Sequence, residues 1–91
     1  MIYQLSYDLK GPDADYSELY NTIAAQGDYL RILGSTWLIS SCKNAEQITD
    51  ELSGKIKKGD RFFVSQINPG QYNGWHSKST WDWISSRLNN S

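Results

Sequence analysis

Tyr29-Leu30-Arg31-Ile32-Leu33-Gly34-Ser35-Thr36-Trp37-Leu38-Ile39-Ser40-Ser41 is the stretch whose reading settles the order of elements. Two β-prone runs joined at Gly-Ser are the pattern of a tight hairpin. On the N-terminal side, Tyr16, Leu19, Tyr20 and Ile23 recur at helical spacing. Asp15-Tyr16-Ser17-Glu18 has capping-box spacing, which sets that helix to start near Tyr16, and Gly27 closes it. On the C-terminal side Asn44 and Gln47 form a second capping pair, followed by the apolar stripe Ala45, Ile48, Leu52 and Ile56. Gly54 interrupts this helix at a cost of about 1 kcal/mol relative to Ala, and Gly59 is the expected stop. Ile2–Asp8 and Asp60–Ile67 read as the outer strands. The order β-α-β-β-α-β predicts an α+β domain of ferredoxin-like type. Its core spans residues 1–67. An extension, 68–91, holds a Gly/Asn/Pro loop (Asn68 to Gly74) and a short helix near Ser79–Asp82, with Trp81, Ile84 and Leu88 on one side.

In such an arrangement both helices cover one face of the sheet, and the other meets water, a partner or the C-terminal segment. Strand alternation puts Gln4 and Ser6 opposite Tyr3, Leu5 and Tyr7, and Thr36, Leu38 and Ser40 opposite Trp37 and Ile39. The mixed face formed by Gln4, Ser6, Thr36, Leu38 and Ser40 is the expected dimer face, because its composition suits a wet subunit interface.

Ninety-one residues form one domain, small enough that self-association is a natural way to cover a leftover face. The single cysteine, Cys42, makes no internal disulfide, and one Cys with one His is a poor zinc set. Both features suit a reducing cytosol, with Cys42 expected as a small buried residue. MIYQLSYD has neither a basic flank nor a long apolar run, so neither a signal peptide nor a membrane anchor is expected. A net charge of −1 argues against a general phosphate-backbone binder.

Asp8 ends the first strand, the edge at which small α/β folds tend to bind ligands and metals. It reads either as a catalytic metal ligand for Mg²⁺ or Mn²⁺, or as a turn residue accepting loop N–H groups before Gly11-Pro12. Lys55, Lys57, Lys58 and Arg61 are the only positive cluster. They read as a nucleic-acid or partner contact, or as a solvated helix end. His76 reads as a proton shuttle or a plain loop residue. Trp75, Trp81 and Trp83 read as base-stacking platforms or, better, as side chains buried by the C-terminal helix. Phosphate-loop, Ser-His-Asp and Cys-x-x-Cys patterns are missing, so any catalysis would rest on carboxylates and a metal.

Tyr7-Asp8, Asp15 to Tyr20, Gly34-Ser35-Thr36-Trp37-Leu38, the Ile48/Leu52/Ile56 helix, Asp60 to Val64 and Trp81-Asp82-Trp83-Ile84 together resemble the small bacterial proteins labelled SinR-family. These in turn resemble, distantly, the small CRISPR adaptation subunit and the VapD ribonucleases. The resemblance covers nearly the whole chain. It implies a homodimer with apposed sheets and one Asp8 from each subunit at a shared metal. The chain departs from the nuclease families around Asp8, where Asp13, Asp15 and Glu18 face a lone Lys10 instead of a basic run. No helix-turn-helix is discernible. Two functions follow as expectations. One is a dimeric, non-catalytic binding module acting on a protein partner of a nucleic-acid system. The other is a metal-dependent endonuclease using Asp8.

Overall fold

The computed structural model describes residues 1–88. In chain order the elements are β1 (Ile2–Asp8), a 3-10 turn (Asp13–Tyr16), α1 (Ser17–Ala24), β2 (Asp28–Leu33), β3 (Thr36–Ser40), α2 (Ala45–Ser53), β4 (Arg61–Ile67) and α3 (Lys78–Leu88). The four strands form one sheet in the order β2-β3-β1-β4, and every neighbouring pair is antiparallel. The protein is thus a small α+β domain.

The alternation in β1 explains its central place. Tyr3 and Leu5 point to one face and pack with Leu19 and Ile23 of α1, Trp37 and Ile39 of β3, and Ile48 and Leu52 of α2. Ile2 points to the other face and joins Leu38 and Ile84 of α3. Among the described residues the sheet therefore lies between α1/α2 and α3. Each large side chain so buried stabilises the fold by about 1.5–3 kcal/mol.

Local sequence accounts for the helix ends in different ways. α2 has its capping box: the Gln47 N–H donates to Asn44 Oδ1 and the Asn44 N–H to Gln47 Oε1, both at 2.8 Å. The helix ends at Ser53 with Gly54 as its C-cap, one turn before the expected stop. Gly59 instead serves the turn before β4 with a left-handed φ of +91°. α1 starts without a side-chain cap, because a 3-10 turn precedes it and the Asp15 carboxylate pairs with Lys57 Nζ at 3.6 Å. Gly27 is needed for space: a Cβ there would lie 2.1 Å from the Ser40 carbonyl oxygen.

Asp60, just ahead of β4, joins three parts of the chain. Its Oδ1 accepts the Lys10 N–H (2.8 Å) and the Tyr16 hydroxyl (2.9 Å), and its Oδ2 accepts the Lys57 N–H (2.8 Å). Burial pushes this carboxyl up, but the Lys10 and Lys57 N–H groups, the Tyr16 hydroxyl and the Lys57 charge outweigh it. The carboxyl is held below its ordinary range. A depressed folded-state pKa gives stability that is complete above the unfolded value, near about 3.9, and lost as pH falls through the folded value. The fold should therefore lose stability in acid below about pH 4. Asp60→Asn keeps one acceptor but turns its NH₂ toward a backbone N–H. It should lower the melting temperature at neutral pH by more than about 5 °C and flatten the acid limb. Thermal melts of both proteins across pH 3–7 check this; a variant as stable as wild type at pH 7 would remove the role given to Asp60.

Candidate functional site

Asp8 is the last residue of β1 and sits in register with Arg61, the first of β4. Ser6, Tyr7, Asp8, Arg61, Phe62 and Phe63 line an open groove at this corner of the sheet. The Asp8 carboxylate accepts Lys10 Nζ at 2.9 Å, with the two side chains 67% and 60% exposed respectively. The hydrogen bond from Lys10 to Asp8, then the attraction between their charges, raises the Lys10 ammonium above its ordinary range. The turn is held by Asp60 and not by Asp8: Asp60 is the carboxylate that accepts the loop N–H groups. Among the described residues no group of three or more His, Cys, Asp or Glu is placed to hold a metal ion. One carboxylate paired with an ammonium does not furnish a Mg²⁺ or Mn²⁺ site within a single chain. The nearby acids turn elsewhere. Asp13 accepts the Tyr20 hydroxyl at 3.0 Å, and Asp15 faces Lys57.

The basic cluster does not form one patch. Lys57 is drawn back onto the fold, with Nζ 5.2 Å from the Tyr16 ring centroid. Lys55 lines a shallow groove between α1 and α2 with Lys43 and Glu51, whereas Arg61 belongs to the Asp8 groove. Lys58 is exposed in the turn before β4.

The expected dimer face is partly occupied from within the chain. α3 packs Ile84 against Leu38, which is 3% exposed, so Leu38 is a core residue of the single chain. Thr36 is also buried, while Gln4, Ser6 and Ser40 remain half-buried. Gln4 Nε2 donates to Ser6 Oγ, and Ser6 and Thr36 share a hydroxyl hydrogen bond, each at 3.2 Å.

Two expectations are corrected. Cys42 is exposed, because it lies just beyond the end of β3 and outside the sheet. Trp75 is fully exposed at 101%, because it precedes α3, whereas Trp81 and Trp83 in α3 are half-buried. His76 has a structural task. The Ser77 N–H donates to its Nδ1 at 2.9 Å, so Nε2 carries the proton and donates to the Ile32 carbonyl at 2.6 Å. Arg31 carries no signal in the sequence. Its guanidinium lies 5.4 Å from both the Tyr20 and Trp37 ring centroids and donates to the Tyr7 hydroxyl at 3.2 Å. Burial first, and then the hydrogen bond to Asp13, raises the neighbouring Tyr20 hydroxyl above its ordinary range.

The two edges of the sheet differ. At the β2 edge His76 binds Ile32, and Arg87 pairs with Asp28. β4 is the other edge strand, and its Phe63, 71% exposed, projects from the sheet face of Ser6 and lines the Asp8 groove.

In comparisons with protein-family models, curated proteins and solved structures, nothing matches this chain. No helix among the described residues is long and apolar enough to cross a membrane.

Asp8 makes one exposed ion pair, of the kind that contributes little. Asp8→Asn should therefore keep the circular dichroism spectrum and shift the melting temperature by less than about 4 °C. Unfolding of this variant would give Asp8 a structural role instead.

Proposed function

We propose that this protein is a ferredoxin-like, non-catalytic binding module that works as a homodimer paired through β4. The strand order β2-β3-β1-β4, with helices between β1 and β2 and between β3 and β4, supports the ferredoxin-like assignment. The observation that carries the functional reading is the open edge strand β4, whose Phe63 is exposed on the sheet face shared with Ser6, while at the opposite edge the C-terminal segment engages Ile32 and Asp28. An unguarded edge strand is a template for pairing.

The sequence of β4 suits a second copy of itself. In an antiparallel pair centred on Val64, Phe63 faces Ser65 of the second copy and Arg61 faces its Ile67. No like charges then oppose one another across the pair. α3 already lies over part of the sheet face expected to dimerise, which favours the edge over that face. On the resemblance to the SinR-labelled proteins, the dimer acts on a protein partner of a nucleic-acid system.

The endonuclease reading is favoured by one observation, the exposure of Asp8 at a strand end beside Arg61. It requires a different dimer. Pairing centred on Val64 leaves the two Arg61 residues, each in register with an Asp8, at opposite ends of the strand pair. They are then separated along it by roughly 20 Å. A β4 dimer of this kind and an Asp8-to-Asp8 metal site exclude one another.

Light scattering at high micromolar concentration should give a mass near twice 10.4 kDa, and Phe63→Lys should return the monomer with an unchanged circular dichroism spectrum and a melting temperature that no longer rises with protein concentration. A monomeric wild type removes the β4 reading. Mg²⁺- or Mn²⁺-dependent cleavage of labelled RNA or DNA that vanishes in Asp8→Asn would replace the binding module with the nuclease.

A further inference from the structure

Between the α3 side of the sheet and the segment running from Tyr72 to Ile84 lies a cleft of about 240 Å³. Leu38 and Ile67 of the sheet line it on one side, and Tyr72, Trp81 and Ile84 on the other. Two fixed points straddle it: His76 ties the loop to the Ile32 carbonyl, and Ile84 is anchored in the core with Ile2 and Leu38. The segment is thus held over the sheet without collapsing onto it.

The lining is predominantly apolar and aromatic. The Tyr72 and Trp81 rings lie nearly parallel, 20° apart with centroids at 6.5 Å. Trp75 borders the cleft with its side chain wholly in water. An apolar cavity of about 150 Å³ suffices for benzene, so this one accommodates a molecule of one or two rings.

The polar groups at the cleft define what else such a molecule carries. His76 is not available, since Nδ1 accepts from Ser77 and Nε2 donates to Ile32. Asn73 Oδ1 accepts the Gly74 N–H, the Thr80 hydroxyl bonds to Ser77 and His76, and the Thr36 hydroxyl bonds to Ser6, so Gln4 offers the acceptor. The Gln4 amide N–H donates to Ser6, which orients the side chain and leaves its carbonyl oxygen as the acceptor for a guest.

We infer that this cleft is a binding site for a small planar aromatic molecule bearing a single N–H or O–H donor, received by the Gln4 carbonyl oxygen. The ring system replaces water against Leu38, Ile67 and Trp81, and the donor meets the polar end of the cleft. Trp75 covers the guest and gains burial that it lacks in the free protein. This site is distinct from the groove beside Asp8, since Phe63 is not among its lining residues and Ile67 is the one residue of β4 that lines it.

The test uses the full chain with indole as the probe, and indene as a ring of the same shape without the N–H. Titrations are followed in ¹H–¹⁵N spectra. Indole should give saturable shifts at Gln4, Leu38, Thr80 and the Trp75 and Trp81 indole N–H groups. Indene should bind about fivefold more weakly. Gln4→Ala should bring the two ligands to equal affinity without changing the melting temperature, and Trp75→Ala should weaken both. Shifts that stay linear to about 5 mM, or that map to Asp8 and Phe63 instead, would overturn the site. Equal affinities of indole and indene for wild type would overturn the assignment of Gln4.

Discussion

The Asp60 carboxylate is the constraint on which the geometry of one end of the sheet depends. The links from β1 to α1 and from α2 to β4 are irregular, so their N–H groups have no ladder or helix to join. A single side chain accepts from both, through Lys10 and Lys57, and also receives the hydroxyl of Tyr16. Tyr16 is 1% exposed within the main core, and so deep a phenol needs a partner for its polar end. The Tyr16 hydroxyl in turn accepts the Gly11 N–H at 3.1 Å, extending the network into the loop after Asp8. Removing Asp60 would thus leave two backbone donors and one buried hydroxyl short of an acceptor. It would also loosen the place where β4 begins against β1.

The C-terminal segment makes the second decisive contribution, because it converts a two-layer domain into three layers. Without α3, Ile2 and Leu38 would face water on an otherwise mixed strand surface. With it, that end of the face becomes core, and the exposed apolar character shifts to Phe63 on β4 and Trp75 beside the cleft. The segment also protects one edge of the sheet. His76 occupies the Ile32 carbonyl, and Arg87 pairs with Asp28 while lying 4.0 Å over the Trp83 ring. The asymmetry of the two edges is therefore a consequence of where the chain goes after β4.

Much of this was legible from local pattern, and what was not has a common cause. The hairpin, the strand alternation and the Asn44–Gln47 box depend on residues close in sequence, and each appears in the structure as its spacing implies. The Asp15–Glu18 spacing fails as a cap because Asp15 lies within the 3-10 turn and Tyr16 takes the N-cap position of α1, while the Asp15 carboxylate faces Lys57, far away in sequence. Gly27 looks like a helix stop, yet its requirement comes from the Ser40 carbonyl across the fold. Asp60 reads only as a strand start, and no local signal shows that it collects three donors. The same holds for Arg31 between Tyr20 and Trp37, and for His76 on Ile32. Trp75 and Cys42 were open to the opposite error. Their types favour burial, but each lies just outside a regular element, where nothing packs over it.

At the candidate site the same distinction separates an exposed carboxylate from a functional one. Asp8 has the position that a metal ligand would need, at a strand end and open to solvent, but position is only one part of a site. A hard divalent cation needs several oxygen donors converging on one point, and here the neighbouring acids are turned to Lys10, Tyr20 and Lys57. Further ligands would have to come from a second copy, so the question of chemistry reduces to one of assembly. Apposed sheet faces bring the two Asp8 residues within reach only if they meet at the end left uncovered by α3. Pairing along β4 carries those residues apart while covering Phe63. The burial of Leu38 under Ile84 leaves less apolar surface for a face-to-face contact, and what remains exposed on that face is Phe63, at its β4 margin. Within the single chain Asp8 is therefore an exposed surface carboxylate held by Lys10, and any further ligand to it depends on what meets the sheet at the end that α3 leaves uncovered.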